Sequence, residues 1–443
     1  MSTPVTVGID IGTSSVKAVA ADDDGIVVAS ARVPHTFRVP TPGGFEHDAA
    51  DAWRRGPRQA LRELGALDVR GVSVAAMVPS LTAVDHDGIP VQPGLLYGDE
   101  RGRTATRGNP VETGELLTFL RWLVAAQPDA AGYWPAQAVA NHELSGEAIL
   151  DTSTAATAYP LFDWQTWDPA VAADVGARPD QFPRLVPTGW EAQRVDGDGP
   201  PLASGCIDAL AEQLVAGADD DGDVLVLLGT TLIVWAVTNE TTEAPGLYLL
   251  PHTAPGKMLV GGPSNAGGLF CNWASGMLGA PRGPVDPRRV PVWVPYPRGE
   301  RSPIDDPDRR AQLLDLDLTH DAAAVRRAAF EASGFVTRRI LDIAREHHGI
   351  TPRRLVASGG GTRVDDWVQA VADATNLPVD CVAVPEGGAL GSAWLARIAA
   401  GLEEPTAMTE GRRWARVGRR LEPDRAWVEA TAARYERFRD AAA

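Results

Sequence analysis

Cysteine is scarce in this chain of 443 residues. Its three cysteines, Cys206, Cys271 and Cys381, are far apart and odd in number. That excludes a disulfide framework and a CxxC metal site, fits a reducing cytosol and makes a cytoplasmic location the expectation. No His/Cys set has metal-ligand spacing. Basic residues are the minority, 41 Lys and Arg against 58 Asp and Glu, a formal charge of −17. Nucleic-acid and anionic-membrane partners, whose phosphates need clustered Lys and Arg, are therefore not expected. A long apolar run is also missing. The most apolar stretch, 224–237 (VLVLLGTTLIVWAV), is too short for a bilayer, carries Thr230 and Thr231 in its middle and reads as buried strand. The opening MSTPVTVGID reaches Asp10 without a basic segment, so a signal peptide is not expected. A GxxxxGK[ST] sequence is absent, which excludes a P-loop.

What is present suits a globular protein of two domains, with 44% apolar content over 443 residues. Residues 4–10, 15–21 and 25–33 read as strands, with Asp22, Asp23, Asp24 and Gly25 turning between the last two. A helix is expected over 48–64, with Pro57 marking a kink or a late start. Residues 70–85 read as a strand broken near Pro79, and 103–200 shows no clear period. From 223 the opening pattern returns, strand, Gly-Thr-Thr, strand. Gly12-Thr13-Ser14 falls on Gly229-Thr230-Thr231, and Leu227 takes the place of Asp10. Two copies of one hairpin suggest two domains of similar fold, related by duplication. Later come a helix over 321–348 with Asp321 as N-cap, a strand, glycine run and helix over 355–376, and a helix over 385–400 with small residues on one side. The acidic run in 216–223 reads as a solvated linker, dividing the chain into 1–217 and 218–443.

The hairpins carry chemistry. A tight Gly-Thr-Ser turn gathers backbone N–H groups into a concavity that binds anions without Lys or Arg, and its hydroxyls add donors. Asp10 cannot touch phosphate directly, but it can hold a Mg²⁺ that bridges phosphate oxygens. The plainer reading is a polar turn capped by Asp10, and the duplicated turn favours the phosphate site. The strand, glycine run and helix around Gly359, Gly360 and Gly361 suit a nucleotide lying against backbone.

Four ordered motifs then resemble the FGGY family of carbohydrate kinases, its xylulokinases most closely. They are GIDIGTSSVKAV at the start, GFEHDAADAW (44–53), VWVPYPRGERSPIDDP (292–307), and SGGGTRVDDWVQAVADATNLPV with EGGALGSAWLA (358–396). YGDERG (97–102) and LSGE (144–147) match weaker motifs. The resemblance implies an α/β fold of two actin-like (ribonuclease-H-like) domains with an ATP and sugar cleft between them. The N-terminal domain would bind sugar and the C-terminal one adenosine. It implies transfer of the γ-phosphoryl group of ATP to a sugar or polyol hydroxyl, with Mg²⁺. Carried over by position, Asp10 looks like the Mg²⁺-associated carboxylate, and Gly12, Thr13, Ser14 and Lys17 like the first phosphate contacts. Gly229, Thr230 and Thr231 look like the second set. Gly359 to Gly361 would face adenosine with Gly268 nearby. Asp208, in SGCIDALAEQLVAG (204–217), matches the family's base. It would take the proton of the attacking hydroxyl and stand near the metal, and it can also cap the helix that follows. Asp219, Asp220, Asp221 and Asp223 are weaker candidates, in what reads as a mobile loop.

The departures concern the sugar. Where xylulokinases carry Gly-Gln-Met-His-Gly, this chain has Ala76-Met77-Val78-Pro79-Ser80. The amide and imidazole are gone, which implies a different substrate or contacts from elsewhere. Met77, Val78, Pro79 and Asp99 are the expected substrate-side residues. Arg101 is expected to make a structural ion pair, and Asp48, within its motif, to cap a helix. His347 and His348 are expected to face solvent. The region after Asp208 and the short 103–200 segment depart from the family, so a homodimer is left open. The expected substrate is a ketose such as D-xylulose. The alternatives are the same kinase fold acting on another polyol, ketose or aldonate, a catalytically impaired sugar- or nucleotide-binding regulator, and an ATPase without a small acceptor.

Overall fold

Val5, Val7, Ile9 and Ile11 alternate along β1 (Pro4–Ile11), and the residues between them are buried as well, so the strand is covered on both faces. The computed structural model describes residues 3–41, 43–102, 115–254, 256–279 and 283–442; residues 103–114 of the unpatterned 103–200 stretch lie outside them. The elements that position the site follow in chain order. After β1 come β2 (Ser15–Ala21), β3 (Val27–Pro34), α1 (Gly56–Glu63), β4 (Asp68–Ala76) and β5 (Ser80–Val84). Next are α2 (Ala136–Ser145), β6 (Cys206–Ile207), α3 (Asp208–Ala216), β7 (Asp223–Leu228), β8 (Leu232–Thr238) and β9 (Met258–Ser264). Then follow α4 (Gly268–Gly276), α5 (Ala322–His348), β10 (Arg354–Ser358), α6 (Asp365–Thr375) and α7 (Gly387–Ala399). The chain forms two units. One is Met1–Val215 with Glu386–Trp414, the other Ala216–Pro385 with Ala415–Ala443.

In the first unit β1 runs antiparallel to β2, and β2 to β3. On its other side β1 is parallel to β4, which is parallel in turn to β6. In the second unit β7, β8 and β9 form the same antiparallel series, and β7 is parallel to β10. The expected duplication is thus present in strand order as well as in the hairpins. Registers agree too. Asp10 faces Lys17 across the first hairpin, and Leu227 faces Ile233 across the second.

Sequence position alone put everything after 217 into one domain, yet Glu386–Trp414 belongs to the first unit. The cause is the small-residue face of α7. A Cβ added to Gly8 would stand 1.8 Å from the Ala389 carbonyl oxygen, and one added to Gly71 2.5 Å from that of Ala396. Helix and sheet therefore meet backbone to backbone, where only glycine fits.

Other expectations resolve locally. The helix expected over 48–64 is wound as a π-helix over Ala50–Arg55 and becomes α1 at Gly56. Pro57 has no N–H to donate and sits in the first turn of α1, a late start. The Asp48 carboxylate accepts from Asp51 N at 3.2 Å, as a cap would. Asp321 caps α5 through Ala324 N at 2.9 Å. Asp223 is no part of a mobile loop. It is buried at the start of β7 and pairs with Arg354 at 2.8 Å.

Candidate active site

The first unit brings three strand ends into one row. Asp10 pairs in register with Ala75 of β4, which pairs with Cys206 of β6. One residue on, Ile11, Ala76 and Ile207 form the next row. The chain then leaves all three strands together, through Gly12-Thr13-Ser14, Met77-Val78-Pro79 and Asp208. Carboxyl ends of neighbouring parallel strands are where open α/β sheets build sites.

Asp10 is 4% exposed. Its Oδ2 accepts from Lys17 Nζ at 3.3 Å, while its Oδ1 is buried and has no hydrogen-bond partner among the described residues. The first turn of α7 lies against the same carboxyl. A Cβ on Gly388 would stand 3.0 Å from Asp10 Cγ. Asp208 opens α3, and its Oδ1 accepts from Ala209 N at 2.7 Å, so it does act on the helix that follows. Loss of water first, and then the charge of Asp10, push its carboxyl up to about 7; the Ala209 N–H and Lys17 oppose this. The Asp10 charge, acting against burial, leads in raising Lys17, with Glu212 and Glu386 adding to it. Glu212 lies one turn along α3 from Asp208, and Glu386 immediately precedes α7. The sequence reading named neither as a site residue. The i, i+4 spacing from Asp208 was the available signal for Glu212.

The first hairpin is buttressed from below. Thr13 Oγ1 lies 2.7 Å from Tyr97 Oη. His47 Nε2 is 2.8 Å from the Thr13 carbonyl, and Trp53 Nε1 donates to His47 Nδ1 at 2.9 Å. This fixes the tautomer: Nδ1 accepts, so Nε2 carries the hydrogen. Burial, and then the neighbouring His35, hold His47 down to about 4. His47 and Trp53 of the GFEHDAADAW stretch thus support the turn. Among the described residues the Thr13 and Ser14 amides donate to no protein group, and Ser14 is exposed. That leaves a backbone concavity of the kind that takes an anion.

The substrate-side residues divide. Met77 is buried and its N donates to the Ile11 carbonyl at 3.2 Å, while Val78 and Pro79 are half-buried across a cis peptide. Asp99 is 0% exposed. Its Oδ2 accepts from Phe45 N and from Arg101 Nη2, both at 2.7 Å, and its Oδ1 accepts from Arg101 N at 2.9 Å. With its oxygens taken inside the protein it braces the loop and is not placed to meet a substrate, a correction to the expectation. Arg101 also pairs with Glu46 at 2.7 Å, the structural ion pair that was expected.

In the second unit the Leu227↔Ser358 register places the Gly229-Thr230-Thr231 turn beside the glycine run that follows β10. A Cβ on Gly361 would stand 2.7 Å from the Leu228 carbonyl oxygen, whereas Gly360 faces open space. Gly268 N donates to the Gly229 carbonyl at 2.8 Å and Leu269 N to that of Thr230 at 3.0 Å, so α4 is pinned to the turn. Among the described residues the Thr230 and Thr231 amides donate to no protein group. The GERSP stretch supports this turn, a role the sequence did not announce. Glu300 accepts from Ser264 Oγ at 2.6 Å and Asn265 N at 2.9 Å, and Arg301 Nη2 lies 3.5 Å from Thr231 Oγ1.

Among the described residues, no three His, Cys, Asp or Glu side chains gather to hold a metal. The donors nonetheless fit Mg²⁺, which takes one or two carboxylates together with waters and phosphates. Asp10 Oδ1 is a hard oxygen with no donor among the described residues, and Asp208 is close enough to sense its charge. No helix among the described residues is long and apolar enough to cross a membrane.

Comparison with known proteins agrees with this geometry. Residues 5–197 match the N-terminal domain model of the FGGY family of carbohydrate kinases, and residues 224–400 its C-terminal domain model. The xylulose kinase of Streptomyces rubiginosus is 29% identical over 450 residues, 93% of this chain and 91% of that protein. The xylulose kinase of Escherichia coli is 26% identical, covering 90% of each chain. The gluconokinase of Bacillus subtilis is 23% identical, over 90% of this chain and 88% of its own. Among solved structures, the xylulose kinase from Rhodospirillum rubrum superposes with a TM-score of 0.75 at 26% identity, covering 99% of this chain and 98% of that one. The ligand-bound xylulose kinase from Lactobacillus acidophilus shares the fold, with a TM-score of 0.79 at 20% identity over 99% and 97% of the two chains. The α/β fold of two actin-like domains is the expected one.

Proposed function

The chain belongs to the FGGY family of carbohydrate kinases, and on that premise we propose that it transfers the γ-phosphoryl group of ATP to a hydroxyl of a ketose, D-xylulose first, with Asp208 as the base. The carrying observation is the row of strand ends that sets Asp208 beside the first hairpin and the Met77–Pro79 loop. Asp208 Oδ1 is occupied by the Ala209 amide. Its Oδ2 takes the proton of the attacking hydroxyl. Burial and the charge of Asp10 push this carboxyl up to about 7, a value suited to taking up and releasing that proton near neutral pH. The amides of Thr13 and Ser14 in one unit, and of Thr230 and Thr231 in the other, receive phosphate oxygens, and Gly360 offers backbone to the adenosine. Lys17 balances the carboxylates around it. Asp10 Oδ1 and Asp208 would hold Mg²⁺, which when bound neutralises phosphate charge. Phosphoryl transfer asks for little else than such positioning and neutralisation.

A second reading concerns the acceptor. Met77, Val78 and Pro79 bring no side-chain hydrogen-bond donor, and gluconokinases stand among the relatives. An aldonate or another polyol is the alternative substrate. Release of ADP from Mg·ATP, measured against pentuloses, hexuloses, glycerol, polyols and aldonates with a sugar-free blank, separates these. One acceptor standing clear of the blank names the substrate. A flat response with ATP bound overturns the kinase reading.

A further inference from the structure

Gln137 of α2 is 0% exposed and touches none of the groups assigned above a chemical role. Its amide is nonetheless saturated. Nε2 donates to the Val74 carbonyl and to the Cys206 carbonyl, each at 3.1 Å, and Oε1 accepts from Asp151 N at 3.3 Å. Val74 lies on β4, three residues before Met77. Cys206 lies on β6, two residues before Asp208. One amide therefore joins the two strands whose ends carry the acceptor loop and the base.

The segment that leads to Asp208 needs such a fastening. Strand β6 is two residues long and meets β4 only through Cys206↔Ala75 and Ile207↔Ala76. Gly205 before it has φ +95°, and a Cβ there would stand 2.1 Å from the Val74 carbonyl oxygen and 2.5 Å from Gln137 Nε2. The chain is pressed onto the amide at a position that glycine alone accepts. One turn further along α2, Asn141 Nδ2 donates to the Ser204 carbonyl at 3.2 Å and the Ile149 carbonyl at 3.1 Å. The two side chains hold Ser204 and Cys206, on either side of the glycine.

We propose that Gln137 is the positioning residue of the base: by holding Val74 and Cys206 together, its amide sets where Asp208 stands relative to the Met77–Pro79 loop. The inference rests on Asp208 being the base. A planar amide with two N–H groups in fixed directions spaces two carbonyls in a way that an apolar side chain of similar size cannot. Its loss also leaves both carbonyls buried without a donor.

The test uses the full-length chain with its best acceptor. Gln137→Leu and Gln137→Asn are each made with Asp208 intact and with Asp208→Asn, and kcat, both KM values and the unfolding midpoint are measured. Gln137→Asn keeps an amide one methylene shorter and provides the result if the leucine variant does not fold. With Asp208 present, kcat is expected to fall about 10- to 100-fold, the worth of a small misplacement, while the KM for Mg·ATP stays within about twofold. With Asp208→Asn the same change adds less than about twofold, because residues acting through one group are not additive. An equal loss in both backgrounds, or no loss, overturns the proposal. If Asp208→Asn alone costs nothing, the base assignment has failed and this role falls with it.

Discussion

The hydroxyls of Thr13 and Tyr97 lie 2.7 Å apart, tying the first hairpin to the loop braced by Asp99 and Arg101. Thr13 is buried, so Tyr97→Phe leaves its hydroxyl without that partner. A lost buried hydrogen bond costs about 1 kcal/mol. The KM for Mg·ATP is expected to rise about fivefold, with kcat less affected. A change confined to the sugar KM would contradict the phosphate role of this turn.

Asp208→Asn should lower phosphoryl transfer by about two to four orders of magnitude and leave the affinity for nucleotide without metal unchanged. It should also alter stability in a pH-dependent way. The ordinary carboxyl value is 3.8, and burial beside Asp10 raises the folded value to about 7. The folded protein therefore binds this proton more tightly than the unfolded chain does. That contribution is complete below pH 3.8 and is lost as pH rises through about 7. Asparagine has no proton to lose. The variant's unfolding midpoint should gain on the parent's between pH 4 and pH 8, read by thermal scans across that range. In the same window the parent's rate should rise as Asp208 ionises, while the residual rate of the variant stays flat.

Asp10→Asn removes a carboxylate that has one oxygen on Lys17 and the other without a donor among the described residues. Use of Mg·ATP should weaken more than binding of the nucleotide without metal. Calorimetry with and without Mg²⁺ makes the comparison, and equal losses would argue against a metal role.

Gly8→Ala probes the packing of α7 on β1. The new methyl would meet backbone atoms of Ala389 and Ala393 at 1.8 Å and 2.3 Å, and no side-chain rotation relieves that. Overpacking of this kind costs about 1–3 kcal/mol or more, which lowers the unfolding midpoint by about 5 °C. An unchanged midpoint would mean that helix and strand are free to separate.

The two hairpins, the β1 strand, the α5 cap at Asp321 and the break near Pro79 were legible in the sequence because each is written in consecutive residues. Even the correspondence of Asp10 with Leu227 survives, in the Asp10↔Lys17 and Leu227↔Ile233 registers. What escaped the sequence is what only packing brings together. Tyr97 meets Thr13 across 84 positions, and Gln137 meets Cys206 across 69. The charge of Glu386 reaches the Lys17 ammonium from a distant part of the chain. Asp99 read as a substrate group because a lone aspartate in a motif looks functional; the Phe45 and Arg101 donors that occupy it lie in the folded protein.

Because Glu386–Trp414 completes the first unit, the order of synthesis matters. The ribosome makes β1 through β6 well before α7, which is to cover Gly8 and Gly71. At about 5–20 residues per second, that sheet waits for its helix while the intervening unit is translated. The second unit waits as well, for Ala415–Ala443. The two halves of the enzyme therefore reach a finished core almost together, late in translation, and a nascent chain stopped at Pro385 carries neither.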